Sequence, residues 1–526
     1  MAIQSTIAEL NRLREIIKVF SIAGFGDLFK HMGLEAAAER TGKIMGWKYV
    51  DEIAHLERPQ RVRRVLEVLG PTFVKIGQIL ATRPDLFGPE WITEFEKLQW
   101  QAPPLDFLEL RPQIEEDLGA PLEEIFQEVE TTPLAAASLA QVHRATLKDG
   151  TKVVLKIQRP GIRPIIESDM RLLAHLASLA ERHVPELSAY HPQQVVQHLA
   201  KSLQNELNFV TEGHNADQVA ANFEDNDQIV IPKVYWEWTK PRISVQEFID
   251  GIPGVNLQDI DAAGMDRTRI AQTGASAVLK MIMIDGLFHA DPHPGNIFIL
   301  PGERIAFIDF GMVGRVSDLR RRQIMRLLQA LQDNDAEGLS TILLEWSGRE
   351  GDDPGELSES VEEFLSKYAG KSMALTDLSA MVGDLLSLVR DNKLTMPPDQ
   401  AMLLKVFVSL EGAFKKLDPG FDIMLAIQPI LHEAVIDKLS PQALGKRGLK
   451  TLTQYLELFA DLPKEIRRGI YTAKTGNLKI RVELSHSDEL QHLVTRAIVL
   501  LAVAGTASAL VIGGSILMAF TRKSRR

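Results

Sequence analysis

At 526 residues the chain is too long for one ordinary domain, and its 45% hydrophobic and 25% charged residues are those of a folded globular protein. A formal net charge of −11 argues against non-specific nucleic-acid binding, which needs basic surface to displace counterions from phosphates. With no cysteine, disulfides, thiolate zinc sites and cysteine nucleophiles are excluded.

Residues 1–118 read as a helical extension. Its first 20 residues carry Glu9, Arg12, Arg14, Glu15 and Lys18 among apolar positions, the pattern of an amphipathic helix and not the unbroken apolar core of a signal peptide. Gly70-Pro71, Gly88-Pro89 and Pro103-Pro104 punctuate the rest. Residues 119–255 turn to strands at 125–129, 141–147 and 153–157, the last two joined by the tight turn Asp149-Gly150. A long helical stretch over 165–222 follows, then strands at 229–231 and 243–248. Residues 256–345 hold a helical run at 268–284 and a hairpin of 297–300 and 305–308 around Pro301-Gly302, and residues 346–490 are helical. Residues 497–520 have no charge and precede Arg522, Lys523, Arg525 and Arg526, which reads as a transmembrane helix. Gly505, Ala509 and Gly513 give it a small-residue face on which a second copy could pack as a homodimer. The order predicts an α+β, two-lobed kinase-like fold with helical additions at both ends.

The chemistry concentrates in His289-Ala290-Asp291-Pro292-His293-Pro294-Gly295-Asn296, followed by the hairpin and Asp309-Phe310-Gly311. Phosphoryl transfer needs a carboxylate beside the attacking oxygen and hard oxygen ligands for Mg²⁺. Asp291 fits the first role, and Asn296 and Asp309 fit the second, at the spacing of the protein-kinase catalytic loop. The hairpin should bring Asn296 and Asp309 to one end. His289 and His293 do not make a zinc pair, because Pro292 breaks the helix that would align them. Lys156, in Val-Val-Leu-Lys on a strand, has the form of the lysine that holds the α- and β-phosphates of ATP, with Glu212 on the following helix as its partner. Glu247 and Phe248 fall where a hinge would hold adenine by backbone hydrogen bonds. Where a kinase has a glycine-rich loop, this chain has Ala135, Ala136, Ala137, Ser138, Leu139, Ala140 and Gln141, so the loop should cover nucleotide in a shifted way.

These residues resemble the UbiB (AarF, ADCK) family of atypical kinase-like proteins. Lys75-Ile76-Gly77-Gln78 with the trailing Thr82-Arg83-Pro84-Asp85 is similar to that family's KxGQ segment, and the Ala-rich loop and the Asp291 stretch match as well. The resemblance implies a KxGQ extension lying over the place where a protein substrate would dock, Mg-ATP binding, and ATPase activity tied to membranes and quinone-like lipids in ubiquinone biosynthesis. It also implies that Lys75 reaches the nucleotide site opposite a Glu-x-Asp pair. Glu206 matches the first position of that pair, whereas Asn208 stands at the third, which puts that position's role in question. Ala140 replaces the loop's usual glycine, and no Ala-Pro-Glu follows Asp309-Phe310-Gly311, so the peptide-presenting segment of protein kinases is missing. The expected setting is a bacterial inner membrane with the kinase-like domain in the cytoplasm, although the terminal basic cluster would then point outward, against the positive-inside tendency. The competing readings are a nucleotide-gated scaffold for quinone-biosynthesis enzymes and a protein kinase.

Overall fold

The computed structural model describes residues 2–21, 24, 26–32, 34, 55–98, 103–184, 192–290, 292, 294–349, 353–368, 378–394, 396–421, 423 and 426. The chain divides into two compact units, Met1–Lys438 and Leu439–Arg526, and every described residue belongs to the first. The 497–520 span lies outside the described residues. Among the described residues no helix is long and apolar enough to cross a membrane.

The N-terminal extension consists of α1 (Ala2–Phe20), α2 (Gly26–His31), α3 (Arg58–Leu69), α4 (Pro71–Leu80) and α5 (Pro89–Glu96). Next come α6 (Phe107–Leu118) and the single turn α7 (Leu122–Ile125). They lead to β1 (Phe126–Val129), β2 (Ala135–Ala136), β3 (Ala140–Leu147) and β4 (Lys152–Gln158). The predicted 165–222 stretch is three helices, α8 (Ile162–His183), α9 (Pro192–Glu206) and α10 (Phe209–Asn222). The break between the last two comes from Asn208, whose side chain accepts the Val210 N–H and so caps α10 as a separate helix.

Strands β5 (Ile229–Val230), β6 (Ile243–Glu247) and β7 (Ile252–Pro253) follow, then α11 (Leu257–Ala262) and α12 (Arg267–Lys280). A π-turn at Met281–Asp285 ends α12. Then come β8 (Leu287–His289), a 3₁₀ turn at Pro294–Asn296, β9 (Ile297–Leu300), β10 (Arg304–Phe307) and β11 (Val313–Arg315). The C-terminal helices are α13 (Asp318–Asp333), α14 (Ala336–Ser347), α15 (Ser358–Tyr368), α16 (Leu378–Asp391) and α17 (Pro398–Leu417).

An antiparallel sheet of order β1-β3-β4-β6, with β2 on β3, forms the first lobe. The second lobe carries β5-β10-β9-β7 and the small pair β11-β8. Three apolar cores follow this division. Alternating Ala145, Leu147, Val153, Leu155 and Ile157 face α6 in one core, so the opposite face of β3 and β4 is left for a ligand. The C-terminal helices and α12 share the largest core with α10. The third joins the extension to α8 and α9. Arg12 fixes α1 to it with two hydrogen bonds to Asp169, at 2.8 and 3.0 Å, and a third to the Leu69 carbonyl at 2.7 Å.

Candidate active site

Lys156 sits on β4 directly opposite Val142, on the sheet face turned away from α6. Its ammonium donates to both carboxylate oxygens of Glu212 at 2.8 Å, and lies 3.6 Å from Asp309. The Phe209 ring, 5.3 Å away, closes one side of the ammonium. Glu212 lies in the first turn of α10, so the Asn208 cap that starts the helix also sets the carboxylate's position. Sequence reasoning had left Asn208 facing Lys75. In the structure its side-chain oxygen accepts from Val210, a task asparagine performs as well as aspartate.

The β9-β10 hairpin does bring Asn296 and Asp309 together. Ile297 pairs with Phe307 at its end, and the Ile308 N–H donates to the Asn296 carbonyl at 3.1 Å. Asp309 accepts the Gly311 N–H at 2.9 Å. Desolvation in the cleft favours its neutral form. Lys156, the Gly311 N–H, Lys75 and His289 outweigh that and hold Asp309 well below the usual carboxylate range. Burial likewise opposes the charge on Lys156, but Asp309 and Glu212 hold it above the usual lysine range. The same burial pushes Glu212 up, so its charge depends on Lys156. Asp291 and His293 lie outside the described residues.

One residue absent from the sequence reading, Asn215, and one weighed there only as a metal ligand, His289, steady this corner. Asn215, buried one turn beyond Glu212, donates to the Phe310 carbonyl at 3.2 Å, tying α10 to the Asp309 segment. His289 is buried with its ring 5.4 Å from that of Phe310. An amide side chain one turn after the glutamate, on the same helix face, is the only signal that pointed to Asn215.

Lys75 on α4 reaches the same cluster and contacts one oxygen of Glu206, the last residue of α9, at 2.7 Å. The other Glu206 oxygen is buried with no hydrogen-bond partner. Gly77 and Gln78 act differently from Lys75. A Cβ on Gly77 would lie 2.1 Å from a Leu98 methyl, and the Gln78 amide donates to the Leu98 carbonyl at 2.7 Å. Both seat the lysine-bearing helix against the chain that follows α5. Arg83 and Asp85 pair at 2.7 Å, and Arg390 on α16 donates to the Pro84 carbonyl at 2.7 Å, which extends that seat to the C-terminal helices.

The Ala-rich loop is a hairpin. Ala135 and Ala136 pair with Val142 and Gln141, the Ala137 N–H donates to the Ala140 carbonyl at 2.8 Å, and Ser138 and Leu139 form the tip. None of these residues has a positive φ. Alanine is therefore tolerated throughout, and the expected strain from missing glycine does not arise. Gln141 does not belong to a nucleotide site. It lies one residue off the register of Val142 and faces the α6 side, 0% exposed, with its amide spent on the backbone N–H and carbonyl of Leu105 at 2.5 and 3.3 Å. The hinge needs correcting too. The N–H groups of Glu247 and Phe248 already donate to the Lys233 and Lys152 carbonyls at 2.9 and 3.1 Å, so an adenine donor has to come from beyond Phe248.

Residues 97–343 match the family model of the ABC1 atypical kinase-like domain, and residues 361–422 match the UbiB helical domain. An uncharacterized protein of Synechocystis sp. is 32% identical over 461 residues, covering 84% of this chain and 78% of that one. The Arabidopsis thaliana protein ACTIVITY OF BC1 COMPLEX KINASE 7, chloroplastic, is 31% identical over 471 residues, covering 85% and 67%. This chain belongs to the ABC1 family of atypical kinase-like proteins. A Mycobacterium tuberculosis protein solved in complex with erythromycin aligns at 23% identity with a TM-score of 0.44, covering 65% of this chain and 87% of that one. As an ABC1 protein the chain has a kinase-like α+β fold with a helical C-terminal region, and its family model covers the whole Lys156, Glu212, Asn296 and Asp309 cluster.

Proposed function

We propose that this ABC1 protein binds Mg-ATP at the Lys156 face, hydrolyses it or transfers its phosphoryl group, and serves isoprenoid-quinone biosynthesis at a membrane. The observation that carries the nucleotide reading is the doubly bonded Lys156–Glu212 pair with Asp309 beside it, the arrangement in which a kinase-like site is assembled for catalysis.

The residues fit magnesium. Asp309 keeps its charge at any physiological pH, and Asn296 offers a neutral hard oxygen on the adjoining arm, the sparse protein contribution Mg²⁺ takes when phosphates and water complete its shell. Mg²⁺ would neutralise charge developing on the phosphates. Lys156 would hold the α- and β-phosphates, Glu212 would orient Lys156, and Asp291 would orient or deprotonate the attacking hydroxyl or water.

Chain length between Gly311 and α13 favours hydrolysis or a small acceptor over protein phosphorylation. β11 and α13 follow at once, and no residues remain to present a peptide. The uncharged 497–520 segment supports membrane attachment, with lipids and quinone-like molecules as partners, cytoplasmic ATP access and a self-associating small-residue face. Phosphate release by the purified full chain, with and without anionic vesicles and a phenolic quinone precursor, tests the reading. Turnover stimulated by those additions is expected. Folded, ATP-binding protein with no turnover in any condition would leave the scaffold alternative.

A further inference from the structure

The tip of the Ala-rich loop is buried in the core that joins the extension to α8 and α9. Leu139 is 6% exposed and belongs to the same buried cluster as Phe73, Val74 and Ile76 of α4, the helix that carries Lys75. Arg159, just after β4, holds the loop from behind. Its backbone N–H donates to the Leu139 carbonyl at 2.8 Å, and its guanidinium donates to the carbonyls of Ala137 at 3.0 Å and Pro103 at 3.1 Å. A two-residue hairpin normally takes a turn with positive φ, whose twist matches its strands, and this one does not. Its shape therefore depends on contacts made outside the hairpin.

We propose that Leu139 and Arg159 are positioning residues that tether the Ala-rich loop to the KxGQ extension. The loop lifts from a bound nucleotide only when Leu139 leaves that core. Nucleotide residence time is thereby set by the extension, and by reciprocity a bound nucleotide steadies the extension. Glycine-rich kinase loops move on their own, whereas this loop moves with α4. The tether presupposes nucleotide under the loop, as proposed above.

Release of a fluorescent ADP analogue from the full chain, chased with unlabelled ADP, tests it, together with hydrogen exchange at the Leu134 and Ala137 amides. Leu139→Ala should speed release roughly tenfold, since losses of this kind fall mainly on the dissociation rate, and should speed exchange at both amides. Leu139→Met should restore both values. Leu110→Ala shortens the separate α6 core, which does not include Leu139, and should leave release unchanged. Should Leu139→Ala fail to fold, Leu139→Val carries the same test with a smaller acceleration. Unchanged release in the Leu139 variants, or equal acceleration by Leu110→Ala, overturns the tether. If the wild-type chain binds no nucleotide, the site reading fails by itself and exchange still decides. Loop amides unaffected by Leu139→Ala would then overturn the tether.

Discussion

Two lysine–glutamate pairs face the same cleft, and they are built differently. Lys156 satisfies both oxygens of Glu212 and is pinned between α10 and the Asp309 segment. Lys75 satisfies one oxygen of Glu206 and leaves the other buried without a partner. The first pair is complete in itself. The second, a single contact to one carboxylate oxygen, joins the extension to α9. The kinase-like half of the site is thus preassembled, and the added half is held by a weaker contact that can be broken separately.

The largest effect should come from Asp309→Asn. Loss of its charge is expected to reduce phosphate release on the order of 10²- to 10³-fold while Mg-free nucleotide binding persists, as read by a phosphate assay and calorimetry with chelator. Equal turnover in the variant would remove Asp309 from the chemistry.

Lys156→Met strips the complete pair. Denaturant unfolding should show about 2 kcal/mol lost at pH 8, less than the roughly 3–5 kcal/mol of a fully buried pair because Lys156 is partly solvated. Removing Lys156 frees burial to keep Glu212 protonated in the folded state. The folded form then holds more protons than the unfolded one, so the variant's stability falls as pH rises above the ordinary carboxylate range. The deficit should be smaller at pH 5 than at pH 8, and the double variant Lys156→Met/Glu212→Leu should recover most of it. A pH-independent deficit would show that Glu212 ionises without Lys156.

Lys75→Met breaks the second pair and should lose about 1 kcal/mol, since only one partly solvated ion-pair contact is given up. A loss equal to that of Lys156→Met would erase the distinction between the pairs. The smallest effects belong to Asn208. Alanine there should remove about 1 kcal/mol as a lost cap, and aspartate should stay within about 0.5 kcal/mol of wild type, because either side chain accepts the Val210 N–H. If Asn208→Asp instead changed nucleotide affinity markedly, the position would serve the cleft as well as the helix.

Residues whose placement depends on local pattern were legible without coordinates. Lys156 on its strand, and Asn296 and Asp309 on the arms of one short hairpin, follow from alternation and turn chemistry. Gln141 was misread because one residue of register decides which sheet face a side chain joins, and that register is set by α6 packing on β3 and β4. At the hinge expected at Glu247 and Phe248 the N–H groups are already spent on the Lys233 and Lys152 carbonyls, which sequence cannot show. Asn208 looked like a lost charge because the cap it forms became visible only when α9 and α10 separated.

The sequence by itself determined the set of chemical groups, the hairpin that joins two of them, and the family to which the chain belongs. Tertiary structure alone decided the geometry of the expected Glu212–Lys156 and Glu206–Lys75 pairs, and that Leu139 is buried with the extension. Each of those contacts joins residues far apart in the chain, where helix and strand propensities are silent. Their geometry depends on how three separate apolar cores pack against one another, and burial, more than any local preference, fixes the partners.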